Sequence, residues 1–315
     1  SALLTPLLLL WWPSSAWLLL ANAALGFSQG LTWSATVMMK IDLVGPKQRG
    51  TAMGLNQSAG YVAVGLASAL GAWHFDQWGQ VNRVLYIAFG LALLALAVAL
   101  FFLPETRPWA QLEANQSQVP TAEHEGGIFW KTTFSHPKLR GITWAGVANN
   151  ANDGILWAVL PTVLLSAGGT ATQLGVLTGI HAASWGLGQL FTGPLSNTGS
   201  LRPLIFWGML LQAAGLWSLH AFLTAWWPYL LIGLGTALVY PTLLVGVSNY
   251  SHPSWRPKAL ATYRFWRDMG YVVGGLVGFA AVQWGHPWWA FSAVAFLTAY
   301  AGISFHRFGI SHPTD

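Results

Sequence analysis

The stretch GFSQGLTWSATVMMKIDLVGPKQRGTAMG, residues 26–54, returns in altered form as GLGTALVYPTLLVGVSNYSHPSWRPKALA, residues 233–261. Asp42, Pro46 and Arg49 recur as Asn249, Pro253 and Arg256. Upstream, Gly26, Gly30 and Trp33 recur as Gly233, Ala237 and Tyr240; downstream, Ala52 and Gly54 recur as Ala259 and Ala261. Each copy reads as an apolar helix, a short basic loop and a second apolar helix. A unit of this kind cannot bury its hydrophobic face alone, so repetition at long period marks a structure assembled from like parts. Two distant copies of a hydrophobic hairpin imply a two-lobed membrane bundle with repeat-related halves.

Composition supports that reading. Charged residues make up 7% of the chain and hydrophobic residues 54%, whereas roughly a quarter of a soluble domain is charged. Apolar runs fall at about 14–39, 50–74, 82–103, 139–167, 171–195, 202–223, 226–248, 257–284 and 287–306. About 20 such residues cross a ~30 Å hydrocarbon core. The expected fold class is therefore all-α, a polytopic transmembrane helix bundle with the lipid bilayer as its surroundings. The opening run, Ala2 to Trp12, is too short to span and reads as the second half of a helix.

Charge sets the expected orientation. Lys40, Lys47, Arg49, Arg107, Lys131, Lys138, Arg140, Arg202, Arg256, Lys258 and Arg307 fall on one side of this topology, and Arg83 on the other. Cationic loops stay in the cytoplasm, which places the first side there together with the carboxy terminus. Trp11, Trp12, Trp17, Trp73, Trp78, Trp226, Trp227, Trp284, Trp288 and Trp289 gather on the opposite side. Indole rings favour the headgroup interface, so these residues mark the outer boundary. The formal charge of +5 then reports topology, and no nucleic-acid partner is expected. The sequon at Asn115 lies on the cytoplasmic side, where N-glycosylation does not occur.

Across essentially its whole length the chain resembles the major facilitator superfamily. The family's signature loop, roughly Gly-x-Leu-Ser-Asp-Arg-x-Gly-Arg-Lys-Pro-Leu-Ile, is matched at Gly193, Leu195, Ser196, Arg202, Pro203, Leu204 and Ile205. Asn197 stands where the family has Asp, Thr198 where it has Arg, and Ser200 and Leu201 replace Gly and Arg. Most of the loop's charge is gone while the hairpin shape is kept. The resemblance implies a two-lobe fold with a parallel lobe repeat. Residues 1–103 would be the remainder of the amino-terminal lobe, from a partial family helix three to helix six. Residues 104–137 would be a cytoplasmic linker carrying Glu105, Arg107, Glu113, Glu123, Glu125 and Lys131, and residues 138–315 the six-helix carboxy-terminal lobe. Asp42, Arg49 and Gly50 resemble the loop between family helices four and five. Tyr263 to Tyr271 resembles helix eleven of a bacterial and archaeal branch, which implies an integral protein of a plasma (inner) membrane.

Asp153, Arg264, Arg267 and Asp268 are the charged side chains placed well inside apolar spans. An ionisable group near the bilayer centre costs about 2.5–3.5 kcal/mol on insertion scales, so it usually faces a cavity or a partner. Arg264, Arg267, Asp268 and Tyr271 share one helical face. They read either as a cationic site for an anionic substrate group, with Asp268 modulating it or carrying a proton, or as a network that locks the helix to its neighbours. Asp153 follows Asn149, Asn150 and Asn152 and precedes Trp157 by one turn. A carboxylate held out of water suits proton coupling, and Asn149 and Asn152 suit substrate hydrogen bonding. Gly154 suggests a broken or bent helix there. Gln29 and Trp33, then Asn56, Gln57 and Tyr61, and Tyr240 are further polar or aromatic candidates. His181, Trp185 and Gln189 recur along one face, with His181 read first as a packing residue and second as a proton carrier. Gly26 with Gly30 and Gly270 with Gly274 are spaced for close backbone contact between helices.

The chain has no cysteine, which excludes disulfides and thiolate metal sites. His-Glu-x-x-His, Walker and nucleophile-elbow motifs are missing, so neither an enzyme, a metal site nor a cofactor is expected. The reading is secondary active transport of a small solute by alternating access, coupled to protons, with direction left open and a lean to efflux. The alternative is a non-transporting membrane scaffold or sensor on a degenerate transporter fold, motivated by Asn197 and Asn249 and by the late start at Ser1.

Overall fold

The computed structural model describes residues 2–11, 14–44, 48–103, 108, 127–198, 201–251 and 255–308, and every regular element among them is helical. The linker residues Glu105, Arg107, Glu113, Glu123 and Glu125 lie outside the described residues, as do Lys47, Pro46, Pro253 and the side chains of Asp42 and Arg49. The helices are α1 (Leu4–Trp11), α2 (Ser15–Val44), α3 (Arg49–Trp78), α4 (Val81–Phe102), α5 (Pro137–Ser166), α6 (Ala171–Thr198), α7 (Leu201–Phe222), α8 (Trp227–Tyr250), α9 (Arg256–Gln283) and α10 (Pro287–Phe308). Each apolar run of the sequence thus becomes one helix.

Four of these helices are long and apolar enough to cross a membrane by length and composition: α4, α7, α8 and α10 as far as Arg307. The others carry Gly, Asn, Gln, His or Arg that dilute the hydropathy while the bundle buries many of them. Helices α2, α3 and α5 run for 30 residues. At ~1.5 Å per residue that is about 45 Å, so they outreach the hydrocarbon or tilt within it.

The repeated hairpins take the same form twice. Helices stop at Val44 and Tyr250 and restart at Arg49 and Arg256, with Pro257 in the first turn of α9, where its missing N–H costs nothing. The ends of the helices at Val44, Arg49, Pro137, Thr198, Tyr250 and Arg256 are called the basic end here; those at Trp78, Ser166, Trp227 and Gln283 are the tryptophan end. The last part of the linker region is ordered: Ile128–Trp130 runs into a π-helical turn at Lys131–Ser135. Ile128, Thr132 and Thr133 are buried there, and Thr133 accepts the Trp266 indole N–H at 3.0 Å. His136 then caps α5, its Nδ1 accepting from the Leu139 N–H at 3.2 Å. Burial, with Lys131 and Lys138 beside it, holds that imidazole below its ordinary pKa, which keeps Nδ1 available as an acceptor.

Helix α3 lies along α6 and α9 along α5, while α8 is wedged between α6 and α7 and α10 covers α7 and α5. Ile142, Ile205, Leu243, Val247 and Tyr263 close one core toward the basic end; Leu156, Leu160, Leu219, Tyr229 and Phe291 close another toward the tryptophan end. The α5–α9 seam needs glycine. A Cβ on Gly270 would run into the Val147 carbonyl oxygen, and one on Gly274 into that of Ala151. At Gly26 and Gly30 no such contact is seen among the described residues, where nothing lies within 4 Å of a Cβ at either position. Both are exposed on α2. Nor does Gly154 break its helix: α5 is continuous from Pro137 to Ser166. Gly154 instead admits the backbone of Tyr271, which a Cβ would meet.

Candidate functional site

Trp33 and Val37 of α2 face Tyr240 and Leu244 of α8 across a pocket whose third wall is α9, with Pro257, Leu260, Ala261, Arg264 and Arg267. These facing residues occupy equivalent positions in the two copies of the repeat, Trp33 with Tyr240 and Val37 with Leu244. A duplicated hairpin has therefore built two like walls. The charge is not duplicated. In the first copy the positions of Arg264, Arg267 and Asp268 hold Gln57, Gly60 and Tyr61.

On the charged wall, Arg267 is 7% exposed and donates to Asp268 Oδ1 through Nε at 2.8 Å and through Nη2 at 2.5 Å. Its Nη1 donates to the Tyr240 hydroxyl oxygen, and its guanidinium lies over the Tyr240 ring at 5.1 Å. Arg264 donates to Asp268 Oδ2 at 3.4 Å and to the Gln29 carbonyl oxygen at 3.2 Å. Gln57 Nε2 reaches the Tyr240 oxygen at 3.4 Å. That oxygen accepts from α3 and α9 together, which leaves its own O–H to donate. Gln29 thus takes part through its backbone, its side chain being exposed.

A second centre lies on the other side of an aromatic septum. Tyr61 stacks on Trp185 and on Trp33 at 5.5 Å, and Tyr240 meets Trp185 edge-on at 5.4 Å. Beyond the septum a second pocket is lined by Tyr61, Ser68, Trp157, Thr178, His181 and Trp185 among others. His181 Nε2 lies 2.8 Å from Asp153 Oδ1, with side chains 7% and 1% exposed. With Asp153 ionised, the imidazole donates this bond. Asp153 Oδ2 and His181 Nδ1 are both buried, and neither has a partner among the described residues. A buried carboxylate and imidazole bridging α5 and α6, each with one open valence, can hold or pass a proton.

One turn away the outcome is different. Asn149 and Asn152, expected to serve substrate, tie α5 to α7 and α10. Gln212 Nε2 donates to Asn149 Oδ1 at 3.1 Å, Asn152 Nδ2 donates to Gln212 Oε1 at 2.5 Å, and the Thr298 hydroxyl donates to Asn152 Oδ1 at 2.7 Å. Asn149 Nδ2 is taken up by Asn150 Oδ1 at 3.1 Å. Each side-chain polar atom of Asn149 and Asn152 has a partner, and both residues are buried at 0–1% exposure, which is how packing residues look. Trp157 and Tyr271 stack at 4.9 Å across the α5–α9 seam. Sequence reasoning ranked His181 as packing and had no partner for it; the signal available was an imidazole inside an apolar span, where some partner is obligatory.

The signature-loop residues lie on the α3–α6 seam. A Cβ on Gly193 would run into the Gly50 carbonyl oxygen. Asn197 Oδ1 accepts the Gly50 N–H at 2.7 Å and its Nδ2 donates to Thr51 Oγ1 at 3.0 Å. The neutral residue still clasps the start of α3. Arg202 stands in the first turn of α7 and Arg256 begins α9, whereas Asn249 is exposed near the end of α8. At the tryptophan end the same two helices meet again, where Asp76 accepts the Thr172 N–H at 2.6 Å.

Long apolar helices around a few buried charges, with the polar atoms turned inward, define an integral, polytopic membrane protein. Residues 1–151 match the Major Facilitator Superfamily profile. A putative glycerol-3-phosphate transporter 4 of Arabidopsis thaliana is 24% identical over 46% of this chain and 28% of its own length. The YhhS proteins of Salmonella paratyphi C and Salmonella typhimurium, described as uncharacterised MFS-type transporters, are 26% identical over 83% of this chain and 60% of their own. Over just under half of its length the chain is thus similar to the major facilitator superfamily, and the relatives it matches are named as transporters. The matches span less than two thirds of these relatives' lengths.

Proposed function

We propose that this chain serves secondary active transport of a small anionic solute by alternating access, coupled to protons. The observation that carries the reading is the pairing of two unlike centres across one aromatic septum. Arg264 and Arg267 line a pocket between the repeat copies, and Asp153 with His181 forms a buried, half-satisfied pair beyond it. A cationic wall suits an anion, and a desolvated Asp–His pair suits a proton. A relative named as a putative glycerol-3-phosphate transporter is compatible with an organic anion. The basic end is read as cytoplasmic, in a bacterial or archaeal plasma membrane, and the two hairpins as parts of two lobes. The anion pocket draws its lining from Leu244, Pro257 and Leu260 near that end, which fits loading from the cytoplasm and hence efflux. The clasp by Asn197 argues against a decayed scaffold, since the substituted residue keeps a cross-helix role.

The test is solute movement in proteoliposomes under an imposed pH gradient, with a panel of small organic anions and cations. Arg264→Gln is expected to lower anion uptake by at least about tenfold, a loss of 1.4 kcal/mol or more. Anion movement that ignores the pH gradient would remove the coupling, and movement of cations alone would remove the anion reading.

A further inference from the structure

The short helical segment Ile128–Ser135 turns its threonines inward and its rings outward. Thr132 and Thr133 are fully buried. The Thr133 hydroxyl donates to the Phe129 carbonyl oxygen at 2.6 Å and accepts the Trp266 indole N–H at 3.0 Å. The Thr132 carbonyl oxygen accepts the Thr143 hydroxyl at 3.3 Å. By contrast Phe129 is 48% exposed, Trp130 63% and Phe134 38%. A helical surface bathed in water shows the reverse pattern, and an exposed aromatic patch marks a docking or membrane surface.

These rings form a continuous patch. Trp130 meets Phe134 at 4.6 Å, Phe134 meets Trp144 at 6.4 Å and Trp144 meets Trp266 at 5.2 Å. Phe129 lies 6.0 Å from Phe265 and 6.2 Å from Trp266. The patch therefore runs from the segment onto α5 and α9, where exposed Leu276 and Phe279 carry the apolar surface on along α9. Its depth follows from helix length. At ~1.5 Å per residue, Trp144 stands about 33 Å along α5 from Ser166, and Trp266 about 27 Å along α9 from Trp284. Both spans match a hydrocarbon core of ~30 Å, so the rings stand one bilayer core away from the tryptophan end. Aromatic rings favour that boundary.

We infer that Ile128–Ser135 is a membrane-surface anchor whose rings sit in the headgroup boundary of the leaflet at the basic end, with phospholipid as the occupant of this surface. Rings seat it, so a neutral lipid suffices. Through the bond between Trp266 and Thr133 the anchor holds α9 one residue before Arg267.

Spin labels read this depth in the full chain, which has no cysteine of its own. Trp130→Cys and Ser135→Cys are labelled and reconstituted in phosphatidylcholine vesicles. Gln80→Cys, exposed just before α4, is the aqueous reference, and Phe279→Cys the hydrocarbon reference. Collisions with oxygen, which concentrates in lipid, are compared with those of a water-soluble nickel chelate. The labels at 130 and 135 are expected to favour oxygen several-fold more than the label at 80 and less than the label at 279. Ser135→Cys replaces a small exposed side chain, so it reports even if Trp130→Cys fails to fold. Nickel chelate reaching both positions as freely as position 80 overturns the anchor. Shielding from both reagents means that protein covers the patch, from a partner or a second copy, and overturns the lipid occupant. Insertion that appears only when anionic phosphatidylglycerol is added overturns the role given to the rings.

Discussion

The two copies of the repeated hairpin share a shape and differ in chemistry. Helices α2 and α8 bring Trp33 and Val37 against Tyr240 and Leu244, equivalent residues on opposite walls of one pocket. The second helix of each pair departs from that symmetry. Where α9 carries Arg264, Arg267 and Asp268, α3 carries Gln57, Gly60 and Tyr61. Duplication gave a two-walled cavity, and charge was placed on one wall only. Buried charge is expensive, so charge carried by one hairpin costs less than charge carried by both.

The largest expected effect comes from forcing the first copy to resemble the second. Gln57 is fully buried, and Gln57→Arg would bury a cation with no carboxylate of its own. A cost of about 3 kcal/mol is expected, measured as a lower midpoint of thermal or denaturant unfolding. Adding Tyr61→Asp, which copies Asp268 as well, should recover part of that loss; no recovery would mean that the two copies are not interchangeable in geometry. Next in size, Arg267→Leu should weaken solute binding by about tenfold or more, and Arg267→Lys should not rescue it. A point charge cannot reach Asp268 and Tyr240 with the same fork. Smaller again is Gly60→Ala, at the position that Arg267 holds in the other copy. Its Cβ would meet the Trp33 ring at 2.7 Å, so a cost of about 1 kcal/mol and a several-fold loss of binding are expected, by unfolding and titration.

The smallest effect concerns the tie at the tryptophan end. Asp76 lies past the apolar run of α3, and hydrogen bonds from Thr172 hold its carboxyl below the ordinary value. A depressed pKa in the fold means that the contribution is present above the unfolded value and fades as pH falls through the folded one. The difference in melting midpoint between the parent and Asp76→Ala should therefore stay constant from neutral pH to about pH 5 and shrink only below about pH 4.

Much of this was legible in the sequence, for reasons that can be named. Apolar runs of about 20 residues became helices because a backbone in lipid has few other ways to satisfy its polar groups. Arg264, Arg267 and Asp268 came together because neighbours three and four apart share a helix face. The Asp153–His181 bond was not legible. Its partners sit on different helices, and nothing in the local pattern of either one names the other. The bonds of Asn149 and Asn152 were hidden for the same reason: their partners Gln212 and Thr298 lie on α7 and α10, far away in sequence. Gly26 and Gly30 carry the same spacing as Gly270 and Gly274, but among the described residues only the second pair meets a close backbone.

The account rests most directly on the proton pair, and one comparison reaches it. In proteoliposomes, exchange of labelled for unlabelled solute requires the pocket and the conformational change but no net proton movement. Gradient-driven accumulation requires the proton as well. Asp153→Asn is expected to keep exchange near the parent rate and to lose accumulation by at least about tenfold. Accumulation at the parent level in Asp153→Asn, with the same dependence on the pH gradient, would contradict the assignment of the proton to Asp153 and His181.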